Sequence, residues 1–89
     1  MTDALSDARA EIDRLDRELL GVVNRRLEIV RGLHEHKLAN DLPLRDPGRE
    51  ESMVGELQAA NGGPLSAEGV ADLFHHVLDL IRREIHGSE

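Results

Sequence analysis

The first 42 residues contain no proline, and their apolar side chains recur at alternating steps of three and four. This spacing places the apolar side chains along one face of an α-helix, as in the seam of a coiled coil. The apolar seam consists of Leu5, Ala8, Ile12, Leu15, Leu19 and Val22. Because Gly21 and Gly32 only weaken a helix, the sequence predicts a single helix over residues 5–38, about 50 Å long at 1.5 Å per residue.

A helix of this length does not fit inside a compact monomer. The chain has 89 residues, enough for one domain with a radius of gyration near 12 Å and a diameter of about 30 Å. Two further helices are predicted over residues 47–60 and 66–86, and they can cover only part of the first. We therefore expect an all-α single domain over residues 1–89, whose apolar seam packs against the seam of a second copy in a homodimer.

Local signals delimit the two shorter helices. Asp46 is followed by Pro47, so an acceptor stands at the N-cap and a proline at the first helical position. The run 61–64, Asn-Gly-Gly-Pro, ends this helix, and Ser66 is expected to cap the third.

Composition argues against several classes of function. The 18 acidic and 11 basic residues give a net charge of -7 without a basic stripe, so neither nucleic acid nor an anionic membrane is an expected partner. The chain lacks cysteine, and its five histidines show no metal-ligand spacing, so no metal site is expected. The acidic N-terminal segment lacks a signal peptide's apolar run, and no run is long enough to span a bilayer, which predicts a cytoplasmic protein.

Two cations interrupt the apolar seam. Continued beyond Val22, the alternating steps of three and four reach Arg26. The apolar positions then resume as far as Leu33, and the next step of four reaches Lys37. Eleven residues of helix turn through about 1,100°, so both side chains point to nearly the same side, about 16 Å apart along the axis. Burying an unpaired cation costs free energy, so the two cations have three possible explanations. They form structural salt bridges, they extend their charged ends to solvent, or they line an anion-binding pocket. The candidate salt-bridge partners are Glu18, Glu28 and Glu50.

Further charged residues can join the same pocket. Arg9 lies beside the seam, 17 residues and about 25 Å from Arg26, so the two can share a ligand only across an antiparallel dimer. On the second helix, Asp46, Arg49 and Glu50 lead into the apolar side. A simpler interpretation is also open, in which Arg9 is a solvated surface residue and the second helix carries a surface charge network.

These residues resemble a known family. The segment ARAEIDRLDRELLGVVNRR, the cation Lys37, and the runs LPLRDPGREESMVGEL and NGGPLSAEGVADLF are similar to the small all-α chorismate mutases. The most specific parts are the spacing from Arg9 through Arg26 to Lys37 and the R-D-P-x-R-E-E segment at residues 45–51. The resemblance implies an intertwined antiparallel homodimer of three-helix chains with two equivalent active sites. It also implies the rearrangement of chorismate to prephenate, a unimolecular 3,3-sigmatropic shift that needs no nucleophile, metal or cofactor.

By position, the resemblance implies a role for each charged residue. Arg26, with Arg9 from the second copy, would clamp the substrate carboxylates. Lys37 would hydrogen-bond the ether oxygen and a carboxylate, and Glu50 would accept from the ring hydroxyl. Catalysis would then rest on Lys37, Arg26 and Glu50, which hold the reactive conformer and stabilise charge developing on the ether oxygen. The remaining wall around the ring hydroxyl would consist of Asp46 and Arg49.

The third helix departs from the family pattern. Alignment on Leu73 and Phe74 places a serine or glycine at position 81 and a glutamine that donates to the ether oxygen at position 85. This sequence has Ile81 and Ile85 there, and Glu84 is an alternative donor in its protonated form. Besides a slow mutase, two alternatives follow: a mutase or lyase for a related substrate such as aminodeoxychorismate or isochorismate, and a weakly active dimer activated by a shikimate-pathway enzyme.

Overall fold

Three α-helices make up the fold. The computed structural model describes residues 3–43 and 46–87, which form α1 (Ala4–Ala39), α2 (Pro47–Ala60) and α3 (Ala67–Gly87). These residues contain no strand, so the predicted all-α, three-helix architecture is confirmed. Helix α2 has the predicted bounds, and α1 and α3 begin and end within one residue of the predicted positions. None of the three, over the described residues, is long and apolar enough to cross a membrane.

Each helix begins at a side chain that caps it. The Asp3 carboxylate accepts a backbone hydrogen bond at the start of α1. At α2 the Asp46 carboxylate accepts from the Arg49 backbone N–H at 3.1 Å. At α3 the Ser66 hydroxyl accepts from the Gly69 backbone N–H at 3.0 Å. These contacts satisfy first-turn N–H groups that have no intrahelical partner, and they explain why the helices begin at these residues.

Helix α1 is a rod that the rest of the chain covers only in part. The molecule extends 61 × 28 × 17 Å with a radius of gyration of 16.8 Å, against about 12 Å for a compact chain of this length. None of residues 4–39 is buried, and in the seam Leu19 is 57% and Val22 64% exposed. The seam therefore forms an exposed apolar face along the first half of α1, of the kind that marks an interaction surface.

Helix α3 holds the single chain together, because it packs against both other helices. Its apolar side chains face α1 and α2, and the buried side chains of the described residues are Val54, Val70, Ile81 and Ile85. Two of these side chains, Ile81 and Ile85, share a pocket with residues of the second half of α1. The same packing brings the end of α3 close to the start of α2, and a pocket forms where the three helices meet.

Candidate active site

The pocket has a volume of about 240 Å³ and is formed by the second half of α1, the start of α2 and the end of α3. It brings together five of the six residues predicted for the site, namely Arg26, Lys37, Asp46, Arg49 and Glu50. The sixth, Arg9, is exposed in the first half of α1 and does not line the pocket. Arg45, which begins the R-D-P-x-R-E-E segment, lies outside the described residues.

The geometry of α1 explains why Arg26 and Lys37 reach the same pocket. Val30, Leu33 and His34 line the pocket between them, and these five positions repeat at steps of three, four or one, which keeps them on one side of a helix. Both cations are half-buried. Half-buried arginine and lysine side chains commonly pack their apolar stems against neighbours while their charged ends stay accessible.

Neither cation is neutralised by another residue of the described part of the chain. Within residues 3–43 and 46–87, no carboxylate lies within ion-pair distance of Arg26 or Lys37. The Arg26 Nη2 atom instead donates to the Met53 sulfur, at 3.8 Å, and a thioether is only a weak acceptor. A half-buried guanidinium without a carboxylate is well suited to bind a carboxylate ligand.

Two of the predicted salt-bridge partners are engaged elsewhere. Glu18 accepts from Arg14 on the exposed surface of α1, at 2.9 Å. Glu50 accepts from Arg82 at 3.0 Å, across the pocket wall from α2 to α3. Glu50 therefore belongs to a contact between helices, and not to a surface network along α2.

Asp46 and Arg49 lie at the rim of the pocket, and both are exposed. The Asp46 carboxylate already accepts the Arg49 backbone N–H as the cap of α2. This bond holds the carboxylate at the pocket wall and leaves its second oxygen to accept another hydrogen bond.

The pocket is cationic in an acidic chain. Its charged lining comprises four cations and two carboxylates, an excess of two positive charges with the histidines neutral, whereas the whole chain has a net charge of -7. Such a local excess attracts anions against the overall charge of the protein. The cations are Arg26, Lys37, Arg49 and Arg82, and the carboxylates are Asp46 and Glu50.

Helix α3 contributes a mainly apolar wall. Ile81 and Ile85 line the pocket and are 3% and 7% exposed, at the two positions where the family resemblance implies polar residues. Glu84, the alternative donor, is exposed and is not among the residues that line the pocket. The rings of His34 and His86 meet edge to face at the wall, 5.9 Å apart. Among the described residues, no group of acidic and histidine side chains could hold a metal ion.

Arg82 also lines the pocket and was not predicted from the sequence. It lines the pocket with Leu78, Ile81 and Ile85, and these positions fall at i, i+3, i+4 and i+7 on one face of α3. The cation at position 82 therefore lies on the same face as this apolar stripe, directly after Ile81. The alternating steps of three and four that single out Arg26 lead from Val70 through Val77 to Glu84 in α3, so they do not mark Arg82. The signal that marks it is its i, i+4 spacing from Leu78, which places it on the apolar face.

Comparison with known proteins identifies the family of the chain. The sequence model of the family described as chorismate mutase type II matches residues 8–85. The chain is 40% identical to the T-protein of Haemophilus influenzae over 87 residues. This alignment covers 98% of the chain and 22% of the relative. It is 28% identical to the bifunctional chorismate mutase/prephenate dehydratase of Aquifex aeolicus over 80 residues. That alignment covers 85% of the chain and 22% of the relative. The chain thus spans about a fifth of the length of these curated relatives.

A solved structure is similar over nearly the whole chain. The chorismate mutase of Thermus thermophilus, in its form I structure, superposes with a TM-score of 0.86 at 32% sequence identity. The match covers 89% of this chain and 99% of that one.

Proposed function

Because the chain belongs to the chorismate mutase type II family, we propose that it rearranges chorismate to prephenate in the pocket between its three helices. The observation that carries this proposal is the convergence of Arg26, Lys37 and Arg49 on one pocket that has an excess of positive charge. Chorismate is a dianion, so a cationic pocket in an otherwise acidic protein is suited to collect it.

The chemistry asks little of the protein beyond positioning and electrostatics. In the 3,3-sigmatropic shift the ether carbon–oxygen bond breaks as a carbon–carbon bond forms, and no group enters or leaves. Catalysis therefore comes from holding the reactive conformer and from stabilising charge that develops on the ether oxygen. We assign Arg26 to a substrate carboxylate, Lys37 to the ether oxygen and a carboxylate, and Glu50 to the ring hydroxyl. The wall around that hydroxyl is assigned to Asp46 and Arg49.

A second copy of the chain is proposed to complete each site. The exposed apolar seam would be buried against a second copy of the chain. In an antiparallel dimer, the first half of the partner's α1, which carries Arg9, would lie beside the second half of α1 in this chain. The volume of the single-chain pocket, about 240 Å³, lies just below the roughly 300–1,000 Å³ typical of small-molecule sites, which suits a pocket that lacks one wall. The dimer would have two equivalent sites.

The dimer is tested by sedimentation and by a seam variant. We expect the chain to sediment as a dimer at micromolar concentration, because a monomer would leave the seam in water. Leu19→Glu, which places a charge in the seam, is expected to dissociate the dimer and reduce its helical circular dichroism. Arg17→Glu, on the opposite side of the same helix, should leave both unchanged. A folded, stable wild-type monomer would contradict the proposed dimer.

Position 85 offers a gain-of-function test. Ile85→Gln would place an amide donor where the family resemblance implies one, and a donor to the ether oxygen acts mainly in the transition state. We expect kcat to rise about tenfold, which corresponds to one added hydrogen bond of about 1.4 kcal/mol. Ile85→Leu, which keeps the volume and adds no donor, should have no such effect. If both variants behave like the wild type, position 85 does not face the reacting ether.

The apolar wall formed by Ile81 and Ile85 favours a second candidate function, a mutase or lyase acting on a related substrate. The direct test is a disappearance assay with purified protein, followed by product analysis by NMR, for chorismate, aminodeoxychorismate and isochorismate. Prephenate from chorismate would support the main proposal. Turnover of another substrate alone would replace it. Activity that rises only when an enzyme of the shikimate pathway is added would indicate a partner-activated dimer.

A further inference from the structure

The contact between Arg82 and Glu50 joins two helices at the wall of the pocket. The Arg82 Nη2 atom donates to the Glu50 Oε1 atom at 3.0 Å, between residues that are 32 apart in the sequence. The two side chains are 33% and 28% exposed, so the ion pair is only partly screened by water. A second carboxylate, that of Asp79, lies farther from Arg82, at 3.9 Å.

Glu50 needs a partner of this kind because of its surroundings. It shares the pocket with Arg26, Lys37 and Arg49, and a glutamate side chain has enough freedom to turn toward any nearby cation. If it did so, it would neutralise a charge that the substrate requires. The ion pair with Arg82 ties the carboxylate to the wall of α3, away from the α1 cations.

We propose that Arg82 is a positioning residue for this site, which orients the Glu50 carboxylate toward the substrate hydroxyl and keeps it from pairing with Arg26 or Lys37. The inference rests on the proposed function, because it gives Glu50 a substrate to face. It also explains a cation in the stripe formed by Leu78, Ile81 and Ile85, where an apolar residue would otherwise extend the core.

The first test removes the charge of Arg82 and compares it with the neighbouring arginine. We expect Arg82→Met to lower kcat/KM for chorismate about tenfold, as for the loss of one charge-assisted contact at the site. Arg82→Lys should recover part of that loss. The matched control is Arg83→Met, because Arg83 pairs with Asp79 at 3.4 Å, is 69% exposed and does not line the pocket. Circular dichroism and sedimentation should be unchanged in all three variants.

The second test asks whether Arg82 acts through Glu50. In a double-mutant cycle, Arg82→Met is expected to change kcat/KM by less than about twofold when Glu50→Gln is already present, because the carboxylate to be positioned is gone. A substrate contact of its own would give the same tenfold loss in both backgrounds. A purely structural bridge would lower the thermal stability of Arg82→Met without this dependence of activity on Glu50.

The outcomes separate the two proposals. If the wild type turns over chorismate and Arg82→Met behaves like Arg83→Met, the positioning role is overturned and the proposed function stands. If the losses are independent in the double-mutant cycle, the role through Glu50 is likewise overturned. If the purified wild type does not rearrange chorismate, the proposed function fails, and the role of Arg82 fails with it. Should Arg82→Met not fold, Arg82→Lys and its cycle with Glu50→Gln decide the same question.

Discussion

Replacing Arg26 or Lys37 by alanine is expected to lower kcat/KM for chorismate at least about a hundredfold, the loss typical of removing one charged or polar donor from a desolvated transition-state site. Both side chains line the pocket and are half-buried. Among the described residues, no carboxylate pairs with either of them. Their removal therefore breaks no ion pair within residues 3–43 and 46–87. We expect the dimer and its helical content to remain, so the loss would be one of catalysis and not of folding.

The control for this prediction is Arg31→Ala. Arg31 lies on α1 between the two cations, but it is exposed and does not line the pocket. Steady-state kinetics of the three variants should show the large loss only for Arg26→Ala and Lys37→Ala. If either variant forms a folded dimer with near-normal activity, the replaced residue has a structural or surface role and does not act in catalysis.

Arg9→Ala and Arg26→Ala, each nearly inactive as a homodimer, are expected to regain activity when unfolded together, mixed and refolded. Arg9 is about 25 Å along α1 from Arg26 and does not line the pocket of its own chain. If it reaches the partner's pocket, a mixed dimer has one site that carries both substitutions and one site that carries neither. With random pairing, half of the dimers are mixed and each has one intact site, so about a quarter of the wild-type activity should return.

The matched control for complementation uses two substitutions in the same pocket. Arg26→Ala mixed with Lys37→Ala should not recover activity, because both residues line the pocket of one chain and each site of the mixed dimer lacks one of them. Formation of mixed dimers is verified by mass spectrometry of differently tagged chains. If mixed dimers form and no activity returns, Arg9 does not act across the interface.

The sequence predicted the charged pocket-lining residues of α1 and α2, but not the one on α3. Along α1, a cation in an apolar seam is visible without any knowledge of neighbouring helices, which is how Arg26 and Lys37 were found. Glu50 was also expected at the pocket, but its partner was not, because the contact with Arg82 joins residues 32 positions apart. The alternative donor considered in the sequence, Glu84, is exposed and lies outside the pocket lining.

Local physical chemistry, readable in the sequence, determined the three helices of this protein. The seam spacing, the acceptors Asp46 and Ser66 before their helices, and the break at residues 61–64 act within a few residues, so they need no tertiary contact to be recognised. Only the tertiary structure decided which side chains meet: it placed Ile81 and Ile85 in both the core and the pocket wall, and paired Glu50 with Arg82. The physical reason is that the rotation of α3 about its axis depends on packing against α1 and α2 together, and periodicity within one helix does not specify the neighbours that its face will contact.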